Sequence, residues 1–141
     1  MKHPIHPIVA HFPLVCWSLT SLGDLTNRFF DTQLSYSIGI ILSIGCISGI
    51  VAMIAGLLEL TRIKSQDSIS ITAERHMNAA VLTWCLYTTS LFLRWDNGFV
   101  LHLNNWALIT SLTGFLGLII TGWYGGKLVY QFGVGTKLKQ P

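Results

Sequence analysis

The sequence predicts an all-α integral membrane protein, a four-helix bundle of antiparallel up-down topology, and three observations predict it. Of 141 residues, 51% are hydrophobic and only 11% are charged, against roughly a quarter charged in an ordinary soluble domain. Four segments are mainly apolar over about the 20 residues needed to cross about 30 Å of hydrocarbon. The segments between them, DTQ, KSQDSISITAE and WDNGFVLHLNN, are polar or turn-like. A soluble domain could not cover its surface with so few charges. A lipid-facing surface removes the need.

The spans follow in order within a single domain, residues 1–141. The first covers about residues 7–27 and opens on HPIHP, where Pro7 suits the first helical position and His6 the one before it. Inside it, Pro13 removes a backbone donor and crowds the carbonyl of Val9. The second covers about residues 35–60. Gly45, Gly49, Ala52 and Gly56 form one small-residue stripe along it, of the kind that lets helices approach closely or leaves room for a flat cofactor. The third, about residues 75–93, carries Thr83, Thr88, Thr89 and Ser90; such hydroxyls are tolerable in lipid when they bond back to the helix carbonyl four residues earlier. The fourth, about residues 104–130, has a second stripe in Gly114, Gly117, Thr121 and Gly125 and ends on GGKLVYQFGVG. Those last glycines can stop a helix through left-handed caps. No phosphate-loop pattern GxxxxGK[ST] is present.

Continuous apolar runs of this length exclude membrane strands. Cys16, Cys46 and Cys85 each lie alone in an apolar run and read as small hydrophobes. The first apolar segment has no small-x-small cleavage site after it and is expected to stay in the mature chain. No internal repeat is expected, because the halves do not match as a transporter-style inverted repeat. The net charge of +3 forms no basic stripe for nucleic acid.

Lysine and arginine counts set the orientation. With four spans, both termini and the central loop share one side, which carries Lys2, Arg62, Lys64, Arg75, Lys127, Lys137 and Lys139. The other side carries Arg28 and Arg94. Seven against two places both termini in the cytoplasm. The same topology brings one end of every span to one level. His3, His6 and His11 arrive there from span one, and Glu59 and Arg62 from span two. Glu74, Arg75, His76 and Asn78 come from span three, and Lys127 and Tyr130 from span four.

Ionisable groups at membrane depth are costly and usually face the bundle interior. His11 either mends the Pro13 kink or acts as a ligand. His76 is either a helix-start residue among the headgroups or a ligand. Glu59 and Arg62, three apart, are placed to pair on a helix surface.

Taken together, HPIHPIVAHFP, GLLEL, RHMNAA and GGKLVYQFGVG resemble the bacterial membrane family catalogued as domain of unknown function 2231. The resemblance covers essentially the whole chain. It implies a four-helix membrane domain with no established activity, in a family where some members are joined to Rieske-type iron–sulfur or cytochrome c domains. That context implies electron transfer. The family-like polar positions are His6, His11, Glu59, His76 and Asn78. Members often carry aspartate at the position of Glu59, and Thr136 stands here where the family closes its GVG motif with valine.

The leading expectation is therefore a b-type haem protein of the bacterial inner membrane that passes electrons to a redox partner. His11 and His76, with His6, are the candidate axial ligands; Arg62 and Arg75 suit the propionates, since arginine binds carboxylates bidentately. The alternative is a transition-metal site or path built from His3, His6, His11, His76 and Glu59, whose nitrogen and oxygen donors suit zinc, copper or iron. A third reading is a cofactor-free assembly subunit that associates through Gly45, Gly49, Ala52 and Gly56. An enzyme of the soluble type is the least expected class, because no nucleophile triad, nucleotide loop or paired catalytic carboxylates can be defended.

Overall fold

The computed structural model describes residues 5–30, 34–61, 67–96, 99–100 and 103–135. Four helices carry the chain: α1 (Ile5–Phe30), α2 (Ser35–Leu60), α3 (Asp67–Leu93) and α4 (Asn105–Tyr130). Between α3 and α4, two residues of β1 (Trp95–Asp96) pair antiparallel with two of β2 (Phe99–Val100). The α2 bounds match the expected span. Asn104 caps α4, its side-chain oxygen accepting from the Ala107 amide at 2.8 Å.

The largest departure is α3, which begins eight residues before the expected start. The expected loop KSQDSISITAE holds an amphipathic helical start. Ile69 and Ala73, four apart on one face, pack with Leu128 of α4 and are joined by Leu60, Phe132 and Val134. The chain after α4 folds back to complete this small core, and Gly133 and Gly135 take left-handed φ values of 65° and 76° to do so. The expected glycine stop is thus present.

α1 packs closely along α2, and α3 along α4; contacts between these two hairpins are far fewer. α1 and α3 therefore lie diagonally opposite across the bundle. α1, α2 and α4 are each long and apolar enough to cross a membrane. α3 falls short of that standard because His76, Asn78 and its hydroxyls lower its hydropathy. Thr83 and Ser90 are fully buried, whereas Val81, Leu82 and Phe92 are exposed. Thr83 donates to the Ala79 carbonyl four residues back at 2.8 Å, as expected. Ser90 instead reaches the Ala107 carbonyl of α4 at 2.7 Å.

The main core gathers Trp17, Leu42, Cys46 and Tyr87, with Trp84, Leu91 and Leu118 against it. Large apolar side chains cover the outside, among them Ile47 at 67% and Leu116 at 62% exposed. Water would not tolerate that surface; lipid does.

Pro13 lies inside α1, which continues through it as one helix. The small-residue stripes face inward. Added Cβ atoms would stand 2.8 Å from Trp17 at Gly45, 2.9 Å from Trp17 at Gly49 and 2.9 Å from Tyr87 at Gly114. Their smallness is used by aromatic rings inside the chain.

Candidate functional site

Two of the expected histidines meet. His6 on α1 and His76 on α3 have ring centres 6.1 Å apart and planes at 83°. Both are half-buried. Each ring is held by the other helix of its own hairpin. The Nδ1–H of His6 donates to the Ala52 carbonyl at 2.8 Å, and that of His76 to the Thr121 carbonyl at 3.0 Å. A carbonyl only accepts, so in both rings Nδ1 carries a proton, and the lone pair of the neutral imidazole is on Nε2.

A glycine backs each ring one turn beyond its carbonyl. A Cβ at Gly56 would lie 3.0 Å from His6 Nδ1, and one at Gly125 would lie 3.2 Å from His76 Cε1. The Nδ1–Cε1 edge of each imidazole is thus turned to its partner helix. The Nε2 atoms are left for something else; among the described residues neither has a hydrogen-bond partner.

The cation expected to pair with Glu59, Arg62, lies outside the described residues. The Oε1 of Glu59 accepts from the backbone N–H of His6 at 3.0 Å, satisfying a donor in the first turn of α1 that the helix itself leaves unpaired. Glu59 therefore fixes where α1 starts, and with it His6.

His11 stands apart from the pair. Five residues beyond His6, it is turned by about 140° around the helix, is exposed, and bonds through Nδ1 to the Pro7 carbonyl of its own helix. Arg75 and Asn78 are exposed on α3 beside His76. His3 and Arg62 lie outside the described residues. Among the described residues, no group of three or more His, Cys, Asp or Glu comes together to hold a metal ion.

Two further groups lie on the same interior line, and the expected site residues do not include them. Trp17 on α1 and Tyr87 on α3 stack with ring centres 5.0 Å apart and planes within 3°. The Tyr87 hydroxyl shares a hydrogen bond of 2.8 Å with Ser21 and donates to the Trp17 carbonyl at 3.2 Å. Beyond the stack, Arg94 grips Asp24 in a two-pronged ion pair, NH1 to Oδ1 at 2.7 Å and NH2 to Oδ2 at 2.6 Å. The Arg94 guanidinium also donates to Ser90 Oγ at 3.0 Å and, through Nε, to the Ser90 carbonyl at 3.3 Å. With Asp24 at 0% and Arg94 at 2% exposure, the pair is sealed from solvent.

A sequence signal for these groups exists: His6 precedes Asp24 by eighteen residues, and His76 precedes Arg94 by eighteen. Eighteen residues are five whole helical turns, so each hairpin lines up a histidine and a charged residue on one face, acidic in the first and basic in the second.

An inward-facing polar line inside four antiparallel helices, with an apolar coat of spanning length, defines the class: an all-α membrane bundle. The chain matches the family model described as Predicted membrane protein (DUF2231) over residues 2–138, and it belongs to that family. No curated protein and no solved structure matches it at a significant level.

Proposed function

We propose that this protein is a membrane-embedded b-type haem protein that carries electrons, with His6 and His76 as the axial ligands. The observation that carries the reading is the spacing of the two rings. A metal–nitrogen bond to imidazole is about 2 Å, and the nitrogen lies about 1 Å from its ring centre, so two imidazoles sharing one iron stand about 6 Å apart. The ring centres here are 6.1 Å apart. Haem brings four nitrogens of its own, so two protein ligands suffice. A bare transition-metal ion needs three or four, and no such group is assembled among the described residues. That difference favours haem over the metal-ion reading.

The chain's own residues supply the rest. The Ala52 and Thr121 carbonyls fix each ring's tautomer and direction, the role that outer-shell hydrogen bonds play for ligating histidines generally. Bound there, haem would supply an iron that gains and loses one electron. Held by both His6 and His76, such a haem would have no position left for oxygen, which favours electron transfer. Arg75, exposed and next to His76 in sequence, would be the candidate partner for a propionate.

The finer placement is part of the same proposal: the bacterial inner membrane, multi-pass, with the histidine end towards the cytoplasm. Seven of the nine lysines and arginines belong to that end, and of the two at the far end Arg94 is locked in a buried ion pair. This is the asymmetry expected of cytoplasmic loops.

The test is an absorption spectrum, oxidised and reduced, of protein expressed with haem supplied and purified in detergent. The expected result is a Soret band with the sharp reduced bands of six-coordinate low-spin iron. His6→Ala and His76→Ala should each abolish that spectrum, and His11→Ala should leave it unchanged. Wild-type protein without a Soret band would end the proposal.

A further inference from the structure

We infer that the chain is a tandem duplication of one helical hairpin, and that the buried Asp24–Arg94 pair makes each hairpin select the other and reject its own kind. The inference stands whether or not the histidines hold a cofactor.

The duplication rests on matched positions that do matched jobs. Between α1 and α3 the offset is seventy residues, relating His6 to His76, Trp17 to Tyr87 and Asp24 to Arg94. Between α2 and α4 it is sixty-nine. Ala52 and Thr121 each accept the histidine Nδ1–H of their hairpin, and Gly56 and Gly125 each back that ring. Gly45 and Gly114 each lie under the aromatic ring of their hairpin, at 2.8 Å from Trp17 and 2.9 Å from Tyr87 for an added Cβ. The contact partner is thus preserved at the histidine level and at the aromatic level.

Three of these pairs also touch each other: His6 with His76, Trp17 with Tyr87 and Asp24 with Arg94. Residues that meet their own counterparts lie on a two-fold axis. Here that axis runs along the bundle, the arrangement of parallel repeats about a membrane normal. The expectation of no repeat is corrected on this point. The repeat inferred is a parallel one.

On such an axis, two copies of the first hairpin would set Asp24 against Asp24, and two copies of the second would set Arg94 against Arg94. Both positions are sealed from water, where an unpaired or like charge is strongly unfavourable. The histidine and aromatic levels carry no such veto, since imidazole meets imidazole and ring meets ring. Discrimination between partners therefore resides at the charged level, as specificity often does in a repulsive element. The surface of each hairpin fits one partner: the opposite hairpin, from its own chain or from a second copy.

Two-tag capture of co-expressed full-length chains in detergent tests this. Wild-type chains should be monomeric, with little cross-capture. Asp24→Arg puts arginine against arginine in every pairing, and Arg94→Asp puts aspartate against aspartate; each alone should lose folded monomer. Expressed together, they should exchange hairpins and be captured as a heterodimer at least about tenfold above either variant with itself. The second arm uses Asp24→Leu with Arg94→Leu in one chain, which removes the veto without leaving a buried charge, and should raise cross-capture above wild type. Folded, monomeric Asp24→Arg protein at wild-type yield would overturn the inference. So would wild-type levels of cross-capture in the double-leucine variant, and this second outcome decides the matter even where the reversed variants fail to insert.

Discussion

At one end of the bundle axis His6 faces His76, and about 27 Å further along Asp24 faces Arg94. Both pairs occupy equivalent positions of the two hairpins, and both are buried to some degree, yet their bonding differs. The carboxylate and guanidinium bond to each other through both oxygens, and the guanidinium also donates to Ser90. The imidazoles are fixed by Ala52 and Thr121 through one nitrogen each, leaving the other nitrogen of each ring without a partner among the described residues. A buried polar pair that satisfies itself is part of the frame. A pair held firmly in place with its reactive atoms left over is where a ligand is to be sought.

This contrast can be broken by substitution, and the sizes should fall in order. Arg94→Ala leaves Asp24 buried and unpaired, and unfolding in detergent should show a loss of about 3–5 kcal/mol, the cost typical of halving a buried pair. Next come the glycines that seat the aromatic stack. Gly45→Ala and Gly114→Ala force a methyl to within 3 Å of an aromatic ring and should each cost about 1–3 kcal/mol by overpacking. A smaller effect is expected from Tyr87→Phe, which keeps the ring stack but deletes the hydroxyl that bonds Ser21 and the Trp17 carbonyl; about 0.5–1.5 kcal/mol is the range for one such bond. At the bottom of the scale lies Gly122→Ala. Nothing stands within 4 Å of its added methyl, and the gain in helix propensity, up to about 1 kcal/mol, should leave stability equal or slightly higher. Equal losses at Gly45 and Gly122 would show that the stripe does not seat the rings.

Much of the molecule is legible in the sequence, by different routes for fold and site. α2 and α4 declare themselves as long apolar runs. The start of α3 does not, because a search for about 20 apolar residues passes over the sparse pattern of Ile69 and Ala73, which is amphipathic. Depth in the bilayer brings His6 and His76 to one level, and they meet there. Depth says nothing of direction around the helix, however, and on depth alone His11 ranks above His6. Counting turns from Pro7 separates the two onto different faces. The duplication is hidden for another reason: beyond one histidine pair and two glycine pairs, the matched positions differ, aspartate standing opposite arginine, tryptophan opposite tyrosine and alanine opposite threonine.

The inward hydroxyls of α3 have a consequence for how the chain is made. α1 and α2 are each long and apolar enough to cross a membrane on their own composition. α3 falls below that standard, and it lays Thr83 and Ser90 against α4. Insertion of the second hairpin as one unit, α3 together with α4, is the order of assembly this composition favours.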